Sequence, residues 1–310
     1  MKLLLLGASG FVGKNLLARV AKERWEVVAV YNSSLDFPAY ADSLGGDVVP
    51  RKCDLRKEKE TQDLFSEFKD FDKTVYLASD TRVGYLFSDQ PEDVYNNILP
   101  MANFVKHYDG GPVLFFSSGA VYSGQKGNVS HHDLHPTIPY AISKLAAELY
   151  LEHQASIDGF GHVTVRFFGA YGPYEPERKL TRKLLLALSS PADVIKFTVY
   201  GDGDNLIDVM YIDDAVQAVY KMLVSKKQDS VVDLCGGAAV SVNTFVNRIA
   251  RILDKKLEIE HRGSVAEYIE FRASSEGFER AFGFSPRISL QEGIPNYMNW
   301  LRKSNLITSG

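Results

Sequence analysis

Three side chains that can together move a proton beside a hydride stand close along the chain: Ser118, Tyr140 and Lys144. Tyr140-Ala141-Ile142-Ser143-Lys144 sets a phenol and an ammonium four residues apart, which is one face of a helix. Upstream, Phe115-Phe116-Ser117-Ser118-Gly119-Ala120-Val121-Tyr122 reads as a buried strand ending in two hydroxyls. A carbonyl that takes hydride, or an alcohol that loses it, needs a proton partner with a pKa near the working pH. Free tyrosine titrates near about 10, so the phenol must be helped. A neighbouring ammonium and a cationic nicotinamide favour the phenolate, and a shift of about three units corresponds to roughly 4 kcal/mol. Ser118 can hydrogen-bond the reacting oxygen and steady its developing charge.

Such chemistry needs a coenzyme, and the start of the chain offers a place for one. Leu3-Leu4-Leu5-Leu6 runs into Gly7-Ala8-Ser9-Gly10-Phe11-Val12-Gly13, a strand, a glycine turn and a helix start. Gly7 permits the tight turn, and Gly10 lets the backbone approach a pyrophosphate at the helix N-terminus. Gly13 allows the helix to lie close on the sheet. The loop as a whole, Gly7, Ser9, Gly10, Phe11, Val12 and Gly13, is the expected dinucleotide cradle. The second strand, Val27-Val28-Ala29-Val30, leads into Tyr31-Asn32-Ser33-Ser34 without a carboxylate. An acid there would bond the adenosine ribose and favour NAD. Asn32, Ser33 and Ser34 instead tilt the expectation towards NADP, with NAD as the alternative.

The elements that must position these groups alternate. Short apolar runs at Lys2–Leu6, Glu26–Val30, Asp47–Val49, Thr74–Ala78 and Val113–Phe116 read as buried strands. Helical patterns lie between them at 12–22, 56–69, 91–108 and 138–157. Right-handed crossovers then give an α/β fold, a Rossmann doubly wound parallel sheet. His162–Arg166 and Val231–Cys235 read as further strands of it. Residues 1–170 form the expected dinucleotide-binding domain, completed by the segment near 231–235. Residues 171–310 form a smaller α/β substrate lid with helices near 177–189, 213–224 and 241–254. Tyr171–Lys179, Val199–Ile207 and Glu260–Ser275 read as irregular, and Ser289 with Glu292 as a capping box for the last helix.

Composition sets further bounds. A net charge of −4 gives no reason to expect nucleic acid. The run Leu3–Leu6 is too short for a membrane span and does not read as a secretory signal. Cys53 and Cys235 are far apart and in no metal-ligand spacing, so a reducing cytoplasm fits and no metal is expected. His131, His132 and His135 lack acidic or cysteine companions and read as a solvated loop.

Gly7–Gly13 with Ser118, Tyr140 and Lys144 resembles the extended short-chain dehydrogenase/reductases, a family of nucleotide-sugar epimerases, dehydratases and 4-keto reductases. The resemblance runs through nearly the whole chain. It implies an adenine contact at Asp54 and Leu55, a fourth-strand backbone contact at Leu77, Ala78 and Ser79, and Asn97 beside the nicotinamide. It also aligns Arg166–Pro173, and Tyr200–Gly203 through Tyr211–Asp214 leading into the lid helix, with family segments. By the same resemblance a homodimer is expected, paired through helices 91–108 and 138–157, where Ile142, Leu145, Ala146, Leu149 and Tyr150 offer apolar surface.

Three departures narrow the activity. The acids that dehydratases carry after the Ser/Thr are here Gly119 and Ala120, so dehydration is not expected. The usual diphosphate contacts are Gly169 and Ile207, which offer no side-chain donor. If a diphosphate is bound, Arg178, Lys179, Arg182 and Lys183 are the nearest cations, with Arg178 and Arg182 at i, i+4, and Arg272 in reserve. The expected activity is NAD(P)-dependent oxidoreduction of a nucleotide-activated sugar, as a 4-keto reductase or C4 epimerase with Tyr140 as acid/base. A non-nucleotide hydroxy or keto substrate, and a dinucleotide-sensing regulator without activity, are the alternatives.

Overall fold

The computed structural model describes residues 1–83, 89–228, 230–265 and 267–307. Its centre is a parallel sheet of seven strands. Across the sheet these are Ser230–Leu234, His162–Phe167, Val113–Ser118, Lys73–Tyr76, Lys2–Leu6, Glu26–Tyr31 and Val48–Lys52. Every neighbouring pair runs parallel. The chain goes outwards from Lys2–Leu6 in one direction, returns, and then builds the other side, which is the doubly wound order.

The four leucines of the first strand show why this sheet forms. Leu3 and Leu5 pack with Leu16, Leu17 and Val20 of the helix Phe11–Val20 on one face. Leu4 and Leu6 pack with Leu64, Phe65, Phe104 and Leu151 on the other. Successive strand residues point to opposite faces, so a strand covered by helices on both sides is apolar throughout.

Beyond residue 170 the helices Leu180–Leu188, Val242–Ile252 and Leu290–Lys303 enclose a second layer. Leu184, Ile195, Phe245 and Ile294 belong to the same core cluster as Leu3 and Leu5. A third, smaller cluster joins Val121, Tyr122 and Phe271, with Phe168 and Ile269 against it. It seats the short strand Glu270–Arg272, paired in parallel with Lys126–Asn128, beside the turn after Ser118.

Several elements differ from the sequence expectation. The strand expected at Asp47–Val49 extends to Lys52 and includes Pro50, paired with Ala29. Proline is tolerated because this strand is the sheet edge. Helix Phe37–Ser43, with Pro38 in its first turn, was not foreseen. The helix expected at 91–108 is divided: Gln90–Asp93, a π-helical turn Val94–Ile98, then Leu99–His107. Pro100 has no N–H to give, and the widened turn ahead of it removes the need for one. Parts of two segments expected to be irregular are strands, since Val194–Tyr200 pairs in parallel with Lys256–Arg262. Ser289 is the N-cap of the last helix, but its side chain caps nothing; its carbonyl accepts from the Glu292 N–H at 3.2 Å. The capping box is therefore not closed.

Candidate active site

The site lies along the carboxyl edge of the sheet, where strands end and glycines bring the backbone close. Gly7 has φ +83°, and a Cβ there would come within 2.8 Å of the Ala78 nitrogen. At Gly13 a Cβ would meet the Gly7 carbonyl oxygen at 2.4 Å, so the helix lies against the turn. Gly10 is the helix N-cap and supplies no side chain to occupy the first-turn N–H groups. Those donors and the helix dipole suit an anionic group. The cradle thus fits a dinucleotide pyrophosphate.

Two adjoining cavities share this cradle. The first, about 550 Å³, is lined by Gly7, Gly10, Phe11, Val12 and Gly13 at one end. Ser118, Tyr140 and Lys144 stand at its middle, and Arg178, Lys179, Asp208, Glu267 and Arg272 line it further on. The second, about 540 Å³, is lined by Ser9, Asn32, Ser33, Asp54, Leu55, Leu77, Ala78 and Ser79. Gly7, Gly10, Leu77, Ser79 and Arg178 belong to both.

Helix Pro139–Asp158 carries Tyr140 and Lys144 in its first turns, both buried, at 8% and 4% exposure. Pro139 at the helix start fits the position, since the missing N–H would be unpaired there. Lys144 Nζ donates to the Phe116 carbonyl at 2.6 Å and lies 4.7 Å from the Phe115 ring. Burial lowers its pKa to about 8, against the pull of Glu148 and Asp93. Burial pushes the Tyr140 phenol up to about 12, eased by the hydroxyls of Ser118 and Ser79. In the chain alone, therefore, the phenol is not eased towards phenolate as the Tyr–Lys spacing suggests. Desolvation is the largest influence on the phenol, and the Lys144 ammonium is turned to a carbonyl.

Under the Ser118 turn lies a buried network. Arg166 Nη2 donates to Glu148 Oε2 at 2.8 Å and Nη1 to the Tyr122 hydroxyl at 3.0 Å. Tyr122 in turn donates to Asp233 at 2.8 Å, and His131 faces Asp233 at 3.0 Å. Ser117 Oγ donates to Glu148. His131, itself exposed, faces Asp233 at the edge of this network, while His135 faces Asp133 in a solvated setting. Among the described residues no group of histidine, cysteine and acidic side chains could hold a metal.

Other expected site residues are placed differently. Asn97 lies in the π-turn and lines neither cavity: it accepts from Ser79 Oγ and the Asp80 N–H, both at 2.8 Å, and donates to Asp93. Its position holds the loop that lines the cleft. Ser34 Oγ donates to Asp36 at 2.7 Å and lines neither cavity either. Asp54 lines the second cavity, with its carboxylate held by Arg56 at 2.7 Å and kept below the usual range by that pairing. Arg182 does not join Arg178. The helix begins at Leu180, so Arg178 precedes it and the two do not share a helix face. Arg182 is buried and donates to the Glu175 carbonyl at 2.6 Å and to Glu177 at 3.2 Å. Lys183 is exposed and outside both cavities. Arg178 donates to Thr81 Oγ1 at 2.7 Å across the cleft.

Two departures gain a physical reason. A Cβ at Gly119 would meet the Phe168 ring at 2.9 Å, so no acidic side chain fits there. Gly169 has φ +128°, a backbone conformation costly for an asparagine. Two lining residues were missed by sequence reasoning: Asp208, which accepts from the Gly237 N–H at 3.2 Å, and Glu267. Asp208 follows Ile207 within the aligned segment Tyr200–Asp214, whereas Glu267 lies in no periodic pattern or contiguous motif.

The doubly wound sheet, the glycine cradle and the Tyr–Lys helix at its carboxyl edge define an extended short-chain dehydrogenase/reductase. The chain belongs to the NAD dependent epimerase/dehydratase family, whose model matches residues 3–235. It is 26% identical to the GDP-6-deoxy-D-mannose reductase of Pseudomonas aeruginosa over 94% of each chain. To the putative UDP-glucose 4-epimerase of Methanocaldococcus jannaschii it is 21% identical, covering 98% of this chain and 99% of that one. Among solved structures, MoeE5 in complex with UDP-glucuronic acid and NAD superposes with a TM-score of 0.85 at 25% identity. The match covers 98% of this chain and all of that one. The UDP-glucose 4-epimerase of Thermotoga maritima shares the fold, with a TM-score of 0.88 at 20% identity, covering 98% and 100% of the two chains.

Proposed function

We propose that this chain is an NAD(P)-dependent oxidoreductase acting at C4 of a nucleotide-activated sugar, as a 4-keto reductase or C4 epimerase. The observation that carries it is the single cavity holding the glycine cradle, Ser118, Tyr140, Lys144 and a basic far end. A coenzyme held on the Gly7–Gly13 cradle would supply or accept the hydride. Tyr140 gives the proton to the sugar oxygen, or takes it, and Ser118 hydrogen-bonds the same oxygen. Lys144 favours the phenolate once a cationic nicotinamide joins it. Asn97 acts by holding Ser79 and Asp80 in place. Arg178, Lys179 and Arg272 supply the positive charge for a diphosphate that Gly169 and Ile207 cannot grip, and Arg182 has no part in it.

NADP is the proposed coenzyme, bound at least as well as NAD. Asn32 and Ser33 line the adenosine end without a carboxylate on the second strand, and Arg51 and Lys52 of the next strand adjoin Asn32. The assembly we propose is a homodimer. Val94, Tyr95, Ile142, Leu149 and Tyr150 on the two expected helices are all exposed apolar side chains. No described helix is long and apolar enough to cross a membrane.

Incubation with 4-keto and 4-hydroxy nucleotide sugars separates the two reactions. Stoichiometric oxidation of added NADPH by the 4-keto sugar identifies the reductase. Interconversion of C4 epimers without net coenzyme consumption identifies the epimerase. Neither outcome with UDP-, dTDP- or GDP-linked hexoses contradicts the proposal.

A further inference from the structure

Among the described residues lining the catalytic cavity, Glu267 is the acidic side chain that the reaction above leaves without work. The segment after it is anchored through Phe271, buried with Val121 and Tyr122, and through the pairing of Glu270–Arg272 with Lys126–Asn128. This brings Glu267 to the same wall as Ser118, Tyr140 and Lys144. Its Oε1 is buried with no hydrogen-bond partner. It lies near enough to Tyr140 for its charge to raise the phenol's pKa. Burial alone pushes the Glu267 carboxyl up to about 7. By contrast, Asp208 in the same cavity is held by a backbone N–H. A buried carboxyl oxygen left unpaired is costly, and in a binding cavity a ligand donor relieves that cost.

We propose that Glu267 reads the sugar ring: it accepts a hydrogen bond from a hydroxyl near the reacting carbon and excludes sugars that carry a carboxylate there. The inference rests on the nucleotide-sugar reading above. The seating of Glu270–Arg272 beside the turn after Ser118 puts the carboxyl at the sugar end of the cavity rather than at the glycine cradle. A uronic acid in this position would set two carboxylates together where water is scarce, and like charges there are strongly unfavourable. The other ionisable groups lining the cavity are Tyr140, Lys144, Arg178, Lys179, Asp208 and Arg272. A neutral hexose meets no such repulsion and supplies the missing donor.

The test compares UDP-glucose with UDP-glucuronic acid on the wild type and on Glu267→Gln, each saturated with coenzyme, at about pH 6 and about pH 8. The expected result is a wild-type preference for UDP-glucose that grows with pH as Glu267 ionises. In Glu267→Gln the preference falls about tenfold, through KM for the uronate, and no longer varies with pH. Glu267→Asp, which keeps the charge, retains the pH dependence. Unchanged coenzyme affinity and melting temperature in both variants show that the fold is intact. A preference unaltered in Glu267→Gln, or a wild type that favours the uronate, overturns the role of Glu267 alone. A wild type that binds no UDP-, dTDP- or GDP-linked hexose overturns the nucleotide-sugar reading and this inference with it.

Discussion

The two ends of the cleft are built from different material. The coenzyme end is made by backbone: the Gly7 turn, the uncapped N–H groups after Gly10 and the close approach at Gly13. Asp54, which lines it, is already held by Arg56, and Ser79 is braced by Asn97 from behind the wall. The sugar end is made by side chains from distant stretches: Arg178 beyond the strand His162–Phe167, Asp208 between the short strands Leu206–Ile207 and Met210–Tyr211, and Glu267 and Arg272 near the end. There a carboxyl oxygen is left without a partner. A backbone cradle serves any dinucleotide, whereas scattered side chains can be exchanged singly. Shared chemistry thus belongs to the first end and substrate choice to the second.

The largest effect is expected where the two ends meet. Tyr140→Phe removes the proton donor, and turnover should fall by roughly 10²–10⁴-fold with coenzyme affinity nearly unchanged. Steady-state rates and a coenzyme titration check this; half of wild-type turnover in the variant would sink the role given to Tyr140.

Next in size, Arg178 and Arg182 separate binding from folding. Arg178→Ala should weaken nucleotide-sugar binding by about 1.5–3 kcal/mol and leave the melting temperature alone. Arg182→Ala should do the reverse, because it frees the Glu175 carbonyl of a buried donor. A loss of about 1 kcal/mol lowers the melting temperature by about 2–4 °C in a chain of this size class. Calorimetry of both variants decides; equal losses of affinity would restore the paired-arginine site that the helix start at Leu180 rules out.

A smaller effect is expected at the adenosine end. Tyr31→Asp sets a carboxylate where a 2′-phosphate would lie, and should shift preference towards NAD(H) by about tenfold. Fluorescence titration of both coenzymes measures it. A wild type that already binds NAD(H) tenfold tighter would remove the NADP preference and strengthen the epimerase reading.

The smallest effect concerns pH and the wall behind Arg182. Burial raises the Glu175 carboxyl to about 8, despite the pull of Lys179 and Tyr297. Its folded-state pKa lies above the unfolded value of about 4.3, so the stability it contributes is full below that value. It is lost as pH rises through about 8. Glu175→Gln stays neutral, so its melting temperature should gain on the wild type as pH rises. Parallel melting curves between about pH 5 and about pH 9 would contradict this.

The same contrast explains what the sequence made legible. Leu3–Leu6 and the glycine turn lie in a contiguous stretch whose order is the structure, and the Tyr140–Lys144 spacing survives directly as a helix face. Val194–Tyr200 and Lys256–Arg262 escaped notice because each strand exists only through pairing with the other, far along the chain. The π-turn depended on how Pro100 was accommodated, and the fate of Arg182 on where a helix began. Glu267 has no motif around it; only the packing of Phe271 brings it to the cavity.

The central claim is that a hydride passes between a coenzyme on the Gly7–Gly13 cradle and a sugar touching Tyr140. The most direct measurement is stopped-flow absorbance of reduced nicotinamide on the coenzyme-loaded protein after mixing with nucleotide hexoses and their 4-keto forms. The account predicts a transient or net change with at least one of these sugars in the wild type, and its loss in Tyr140→Phe. An unchanged signal with every UDP-, dTDP- and GDP-linked sugar, or the same change in Tyr140→Phe, would contradict it.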